Sequence, residues 1–201
     1  MRVNVAFIAV SALVLACLVA GVAAAQSERP ASPPGAASTQ IGDAWIDVTY
    51  SRPILRGRQG IFGAGEEYGK TLYAGGPLWR AGANVTTRIE TGLDLEIGGK
   101  RVPAGEYSLF IDLKEGAWTA ILSSQPYMET FDRAKIAEGQ TWGAYGYKPE
   151  HDVVRAPMNV ETRDSSLDQL TIAFLDVTAE GGTLAVAWDN QVGTLPFKVA
   201  K

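Results

Sequence analysis

Cysteine and histidine are almost missing from this chain: its 201 residues include one of each, Cys17 and His151. Cys17 sits inside the apolar N-terminal run, so a chain cut after Ala25 carries no thiol. Neither a disulfide framework nor a thiolate metal site is then expected. His151, in "KPEHDVV", stands alone and cannot supply the three or four convergent ligands of a zinc-type centre. No Asp-x-Asp-x-Asp-Gly ladder marks a calcium loop. The shortage of histidine, with no Gly-x-Ser-x-Gly elbow, also argues against a serine triad. "GEEYGKT" ends like a phosphate-binding loop, but the position that must be glycine is Ala64. Glu66 and Glu67 would also set negative charge where phosphates should lie. No metal and no other cofactor is expected.

Positive charge is scarce too, with 18 Lys and Arg against 22 Asp and Glu. The first 26 residues, "MRVNVAFIAVSALVLACLVAGVAAAQ", hold one cation, Arg2, then an uncharged apolar run ending in small residues. That is the layout of a signal peptide (1–25), with Ala23 and Ala25 before a cut at Gln26. A membrane anchor is the rival reading, since the run approaches the roughly 20 residues that span a bilayer. The polar "QSERPASPPGAASTQ" that follows favours cleavage, and lipidation at Cys17 is the minor alternative, because Leu15 fits a lipoprotein box poorly. Cleavage removes one cation and no acid and leaves a net charge of about −5. A periplasmic or secreted protein without nucleic-acid partners or stable membrane insertion is expected.

Residues 26–43, rich in Pro, Ser and Ala, read as a disordered linker. Residues 44–201 form one domain of about 160 residues, enough for a self-sufficient core. Its texture is short β-like runs: "AWIDVTYS", "TTRIETGLDLEI", "EYSLFIDL", "AWTAILSS", "DQLTIAFLDV", "TLAVAWD" and "TLPFKV". Gly98-Gly99, "KEG" before Ala117 and "AEGG" before Thr183 are hairpin signals. Tyr107, Leu109, Ile111 and Leu113 share one face, as do Leu184, Val186 and Trp188. "LTIAFLDV" is apolar on both sides and predicts a central strand over Leu170 to Val177. Helical spacing is confined to "METFDRAKIAEG". The fold class is all-β: an antiparallel β-sandwich or jelly-roll-like domain with at most one short helix.

"SRPILRGRQGIFG", "YGK", "LWRAGANVTT", "IGGKRVPAGEYSLF", "WTAIL", "WGAYGY" and "DVVRAPM" follow one another in this order. The combined string resembles domain of unknown function 2911, found in secreted bacterial proteins, from about Ala44 to Val199. The resemblance implies an extracytoplasmic, mostly β domain and no assigned activity. One departure is Val85, where members often carry an acidic residue after "GAN". A site that needs a carboxylate there is in doubt.

The candidate site centres on "GGPLWRAGANVTTRIETG". Trp79, Arg80 and Asn84 stand in a glycine-framed loop just ahead of a strand. In one reading they form a rigid corner, with Asn84 bonding its own backbone. In the other they form a polar pocket, with Arg80 and Asn84 as donors and Trp79 or Trp142 as an apolar wall. Tyr145, in the same "WGAYGY" patch as Trp142, joins the pocket set. Arg52 joins it from the cluster of Arg52, Arg56 and Arg58, whose alternative is pairing with the domain's own acids. The leading functional reading is a non-catalytic binding or envelope-associated module for a carbohydrate or another small polar ligand, with a carbohydrate or small anionic ligand as the expected partner. A metal-independent hydrolase with paired carboxylates and a structural envelope partner are the alternatives.

Overall fold

Alternation of apolar and polar residues builds most of this domain, because side chains two apart share one face of a strand. The computed structural model describes residues 30–201, so the expected signal peptide and its expected cut lie outside the described residues. Ten strands follow in order: β1 (Pro34–Ile41), β2 (Ala44–Ser51), β3 (Arg88–Thr91), β4 (Leu95–Ile97), β5 (Lys100–Val102), β6 (Gly105–Asp112), β7 (Thr119–Ser123), β8 (Asp152–Pro157), β9 (Asn159–Thr178) and β10 (Gly181–Val199). Two one-turn helices accompany them, α1 (Lys70–Tyr73) and α2 (Arg133–Ala137), the second inside the stretch with helical spacing.

The strands form two antiparallel sheets, β1-β2-β3-β6-β7-β8 and β5-β4-β10-β9. Their facing sides meet in one core. Val48, Leu109 and Leu122 belong to it from the first sheet, and Leu95, Leu184 and Phe197 from the second. The hairpin signals hold where they were read. Gly98 and Gly99, at φ 57° and 76°, join β4 to β5, as a primed turn requires. Gly116 likewise lies in the β6–β7 connection, and Gly181 opens β10 directly after the β9–β10 turn.

Two expectations need correction. The linker does not extend to residue 43, because Pro34–Ile41 is strand β1, paired along its whole length with β2. Its Ala, Ser and Thr side chains are small and largely exposed. They carry almost no apolar periodicity, and the order comes from backbone pairing instead. The twice-covered strand is also not Leu170–Val177. β9 lies at a sheet edge, and although Leu170 and Ile172 are buried, Leu175 is 43% exposed. The strands covered on both faces are β6 and β7. Phe110 and Ile121 turn away from the main core and pack with Leu78 and Ala144 in a second cluster. The excursion from Ser124 to Lys148 supplies that cover. Gln125, almost fully buried, ties it down: its amide donates to the carbonyls of Gly139 and Gly146, and its Oε1 accepts from Lys148 N.

Candidate cleft at one end of the sandwich

A cleft of about 620 Å³ opens where the loop after β2, the α1 segment, the loop before β3 and the turn at 142–145 converge. That is within the size range of small-molecule sites. Its floor includes Ile61, Leu72, Trp79 and Trp188, all buried. These positions follow from packing beneath the cleft. Phe62, Trp79, Trp118 and Trp188 form an aromatic cluster with ring centroids 5.2–6.4 Å apart. Each such pair is worth roughly 0.5–1.5 kcal/mol beyond area burial. Trp118 Nε1 donates to the Tyr68 hydroxyl at 2.9 Å, so its polar edge is satisfied inside the cluster. Trp79 is 1% exposed and is bridged to Ile111 by two backbone hydrogen bonds. It therefore anchors the loop and offers the cleft only an edge.

Arg80, the next residue, is 5% exposed and lines the cleft. Its Nη1 donates to the Asn84 carbonyl at 2.6 Å. Its guanidinium lies 5.4 Å from the Trp142 ring centroid and 5.6 Å from that of Tyr145, inside cation–π range. Gly143 is required beside it, since its φ is 60° and an added Cβ would collide with the guanidinium. Among the described residues Arg80 makes no ion pair. Burial pulls its pKa below the usual arginine value, while the nearby Tyr145 hydroxyl acts the other way. A guanidinium stays charged through such a shift. No Asp or Glu lines the cleft, whereas Arg56 and Arg58 join Arg80 there. A protein with an overall excess of acid thus has a locally cationic depression.

The loop is also a corner. Ala81 and Asn84 adopt φ 49° and 59°, left-handed values that asparagine tolerates better than most residues. Thr87 Oγ1 donates to the Ala81 carbonyl and Thr86 Oγ1 to the Gly143 carbonyl, both buried. Thr141 Oγ1 donates to Tyr145 O at 2.8 Å, and the Tyr145 hydroxyl donates to Ala74 O. The loop before β3 and the turn at 141–146 are therefore one hydrogen-bonded unit. Arg80 and Asn84 from the loop and Trp142 and Tyr145 from the turn form part of the cleft lining.

Of the expected site residues, Trp79, Arg80, Asn84, Trp142 and Tyr145 all line this cleft. Arg52 does not. Its side chain packs over Gly35 of β1, and its Nε reaches the Leu170 carbonyl at 3.4 Å. The other two arginines of that cluster line the cleft without ion-pairing to the domain's acids. Arg58 instead donates to the carbonyls of Leu55 and Ile54. Sequence reasoning missed Trp188, Ile61 and Leu72. Trp188 carried only the signal of a strand's core face, and nothing local showed that its edge reaches a cleft.

No curated protein and no solved structure matches the chain. A family model does match, over residues 32–197, and that span takes in β1 and every other strand except the last two residues of β10. The chain therefore belongs to the family described as protein of unknown function (DUF2911).

Proposed function

We propose that this protein is an exported, non-catalytic binding module whose cleft takes a small polar ligand bearing negative charge. One observation carries the reading: Arg80 is a buried cation without an ion-pair partner among the described residues, in a cleft lined by three arginines and no acid. Burying an uncompensated charge costs several kcal/mol. A site keeps such a charge when a ligand supplies the counter-ion. Glycoside-type hydrolysis by paired carboxylates needs two acids facing across a cleft, and the lining of this one provides none. Binding is the better account of the geometry.

The test is a thermal-shift screen of carboxylates, phosphates, sulfates and neutral sugars on the mature protein. An anionic ligand at 100 times its Kd should stabilise the fold by about 2.7 kcal/mol. A screen in which no anion raises the melting temperature would overturn the reading. Export predicts a mature chain beginning at Gln26. Intact mass of the protein recovered outside the cytoplasm checks this, and a retained leader or an acylated Cys17 would refute it.

A further inference from the structure

Resting on the binding reading above, we infer that the ligand is an organic oxyanion with an apolar body, a carboxylate or phosphate monoester, and not a neutral sugar. The first argument is the inventory of donors and acceptors. Sugar hydroxyls both donate and accept, so a site for a neutral sugar must offer acceptors as well as donors. The charged groups on this cleft are Arg56, Arg58 and Arg80, and arginine donates without accepting. No carboxylate is there to receive a hydroxyl proton. Ser32, Thr71, Asn84 and Tyr145 supply neutral acceptors, but every charged group on the lining is a cationic donor, and that balance favours an ionised carboxylate or phosphate over a neutral hydroxyl.

The second argument is the arrangement of charge over apolar surface. Ile61, Leu72, Trp79 and Trp188 make an apolar floor, while Arg56 and Arg58 lie in exposed loop at its margin. A bare inorganic anion would engage the arginines and leave the floor wet. An anion joined to a ring or alkyl body would dehydrate the floor as its head meets the guanidinium, adding roughly 25 cal/mol for each Å² of apolar surface buried. The third argument is that Arg80 is held ready. Its one hydrogen bond to a backbone carbonyl, Nη1 to Asn84 O, together with Trp142, Tyr145 and Gly143, fixes the plane of the fork. The Asn84 carbonyl and the Tyr145 hydroxyl engage only part of its five N–H donors. A preset fork loses little freedom on binding.

Isothermal titration with benzoate, phenyl phosphate, inorganic phosphate and glucose tests the inference, with tryptophan fluorescence followed in parallel because Trp79, Trp142 and Trp188 line the cleft. Benzoate or phenyl phosphate should bind and change the fluorescence, and the tighter of the two identifies the head group. Inorganic phosphate should bind at least about ten-fold more weakly than phenyl phosphate, and glucose should give no heat. Arg80→Gln should weaken the organic anion by about ten-fold or more. Arg80 also ties its loop, so Arg56→Gln on the exposed rim, where the Arg56 side chain makes no ion pair, provides a second measure, with the melting temperature of the variant confirming that it is folded. It should weaken binding about three-fold or more, with a dependence on salt that the wild type also shows. Equal affinity for inorganic phosphate and phenyl phosphate would overturn the apolar body while leaving an anion site. Glucose binding that Arg80→Gln does not affect would overturn the oxyanion head while leaving a binding module. Silence of all four probes, with other anions positive in the thermal-shift screen, would overturn this inference alone. Silence in both experiments would remove the binding reading as well.

Discussion

Arg80 and Asn84 stand four positions apart in one loop yet do different work. Asn84 is exposed, and its carbonyl rather than its side chain receives the Arg80 guanidinium. What its side chain contributes is tolerance of φ 59°. Asn84→Gly should therefore change stability by less than about 0.5 kcal/mol, whereas Asn84→Ala should lose about 1–2 kcal/mol from the left-handed backbone. Urea denaturation of the two variants separates these outcomes, and equal losses would mean that the side chain makes a contact of its own. Gly143→Ala is the sharper probe. Its methyl would have to occupy the place of the guanidinium, at a residue already in left-handed conformation. It should destabilise the protein by about 1–3 kcal/mol and abolish anion binding together. Loss of stability with binding intact would show that the guanidinium is not the anchor.

Strand β1 shows how an element can be decided by its partner. Nothing in "PGAASTQI" reads as a strand, yet all eight residues are in register with β2. β1 also adjoins β9 across the open side of the sandwich. At that side the Ile172 N–H donates to the Tyr50 hydroxyl at 2.9 Å, and Leu55 N and Leu170 N donate to Asp168 O and Pro53 O. A chain beginning at Pro33 should melt like one beginning at Gln26. One beginning at Gly42 strips β2 of its outer partner and should melt at least about 10 °C lower, since each kcal/mol shifts a domain of this size by about 2–4 °C. Identical melting of the two would mean that β1 contributes no stability. The long β9–β10 ladder follows the same rule, because its polar segment near residues 159–166 is strand by pairing rather than by composition.

Across the whole molecule, titration sets a pH window for stability. Glu106 is held below its ordinary 4.5 chiefly by the hydrogen bond from Arg88. Asp94 is held below 3.8 first by the Ala104 N–H and then by Arg101. A carboxylate with a depressed folded value stabilises above its unfolded value and loses that contribution as pH falls through the folded one. At the other end, burial raises Tyr68, Tyr73, Tyr107 and Tyr147 above 10.0, and Tyr147 is raised further by its bond to Asp152. A group with a raised folded value stabilises fully below its unfolded value and ceases to do so as pH climbs through the folded one. The urea midpoint should therefore be flat from about pH 5 to about pH 9.5 and fall on both sides. A fall already at pH 8 would contradict this balance.

By itself the sequence determined the features that are local. Alternation placed Tyr107, Leu109, Ile111 and Leu113 on one buried face, and Gly98-Gly99 could hardly be anything but a tight primed turn. These are legible because a strand's faces and a turn's dihedrals depend on neighbours within a few residues. The association of Trp79, Arg80 and Asn84 was legible for the same reason, as consecutive parts of one glycine-framed loop. Which strand is central was not legible. "LTIAFLDV" and "EYSLFIDL" are similarly apolar, and only the sheet order puts β9 at an edge and β6 inside. Nor could sequence separate Arg52, which packs on β1, from Arg56 and Arg58 a few positions later. The tertiary structure alone decided that Arg80 meets Trp142 and Tyr145 from a turn some 60 residues away, with Trp188 from another sheet below it. The physical reason is that a charge's counter-ion and a cleft's floor are properties of packing between distant segments, whereas a turn or a strand face is written into adjacent residues.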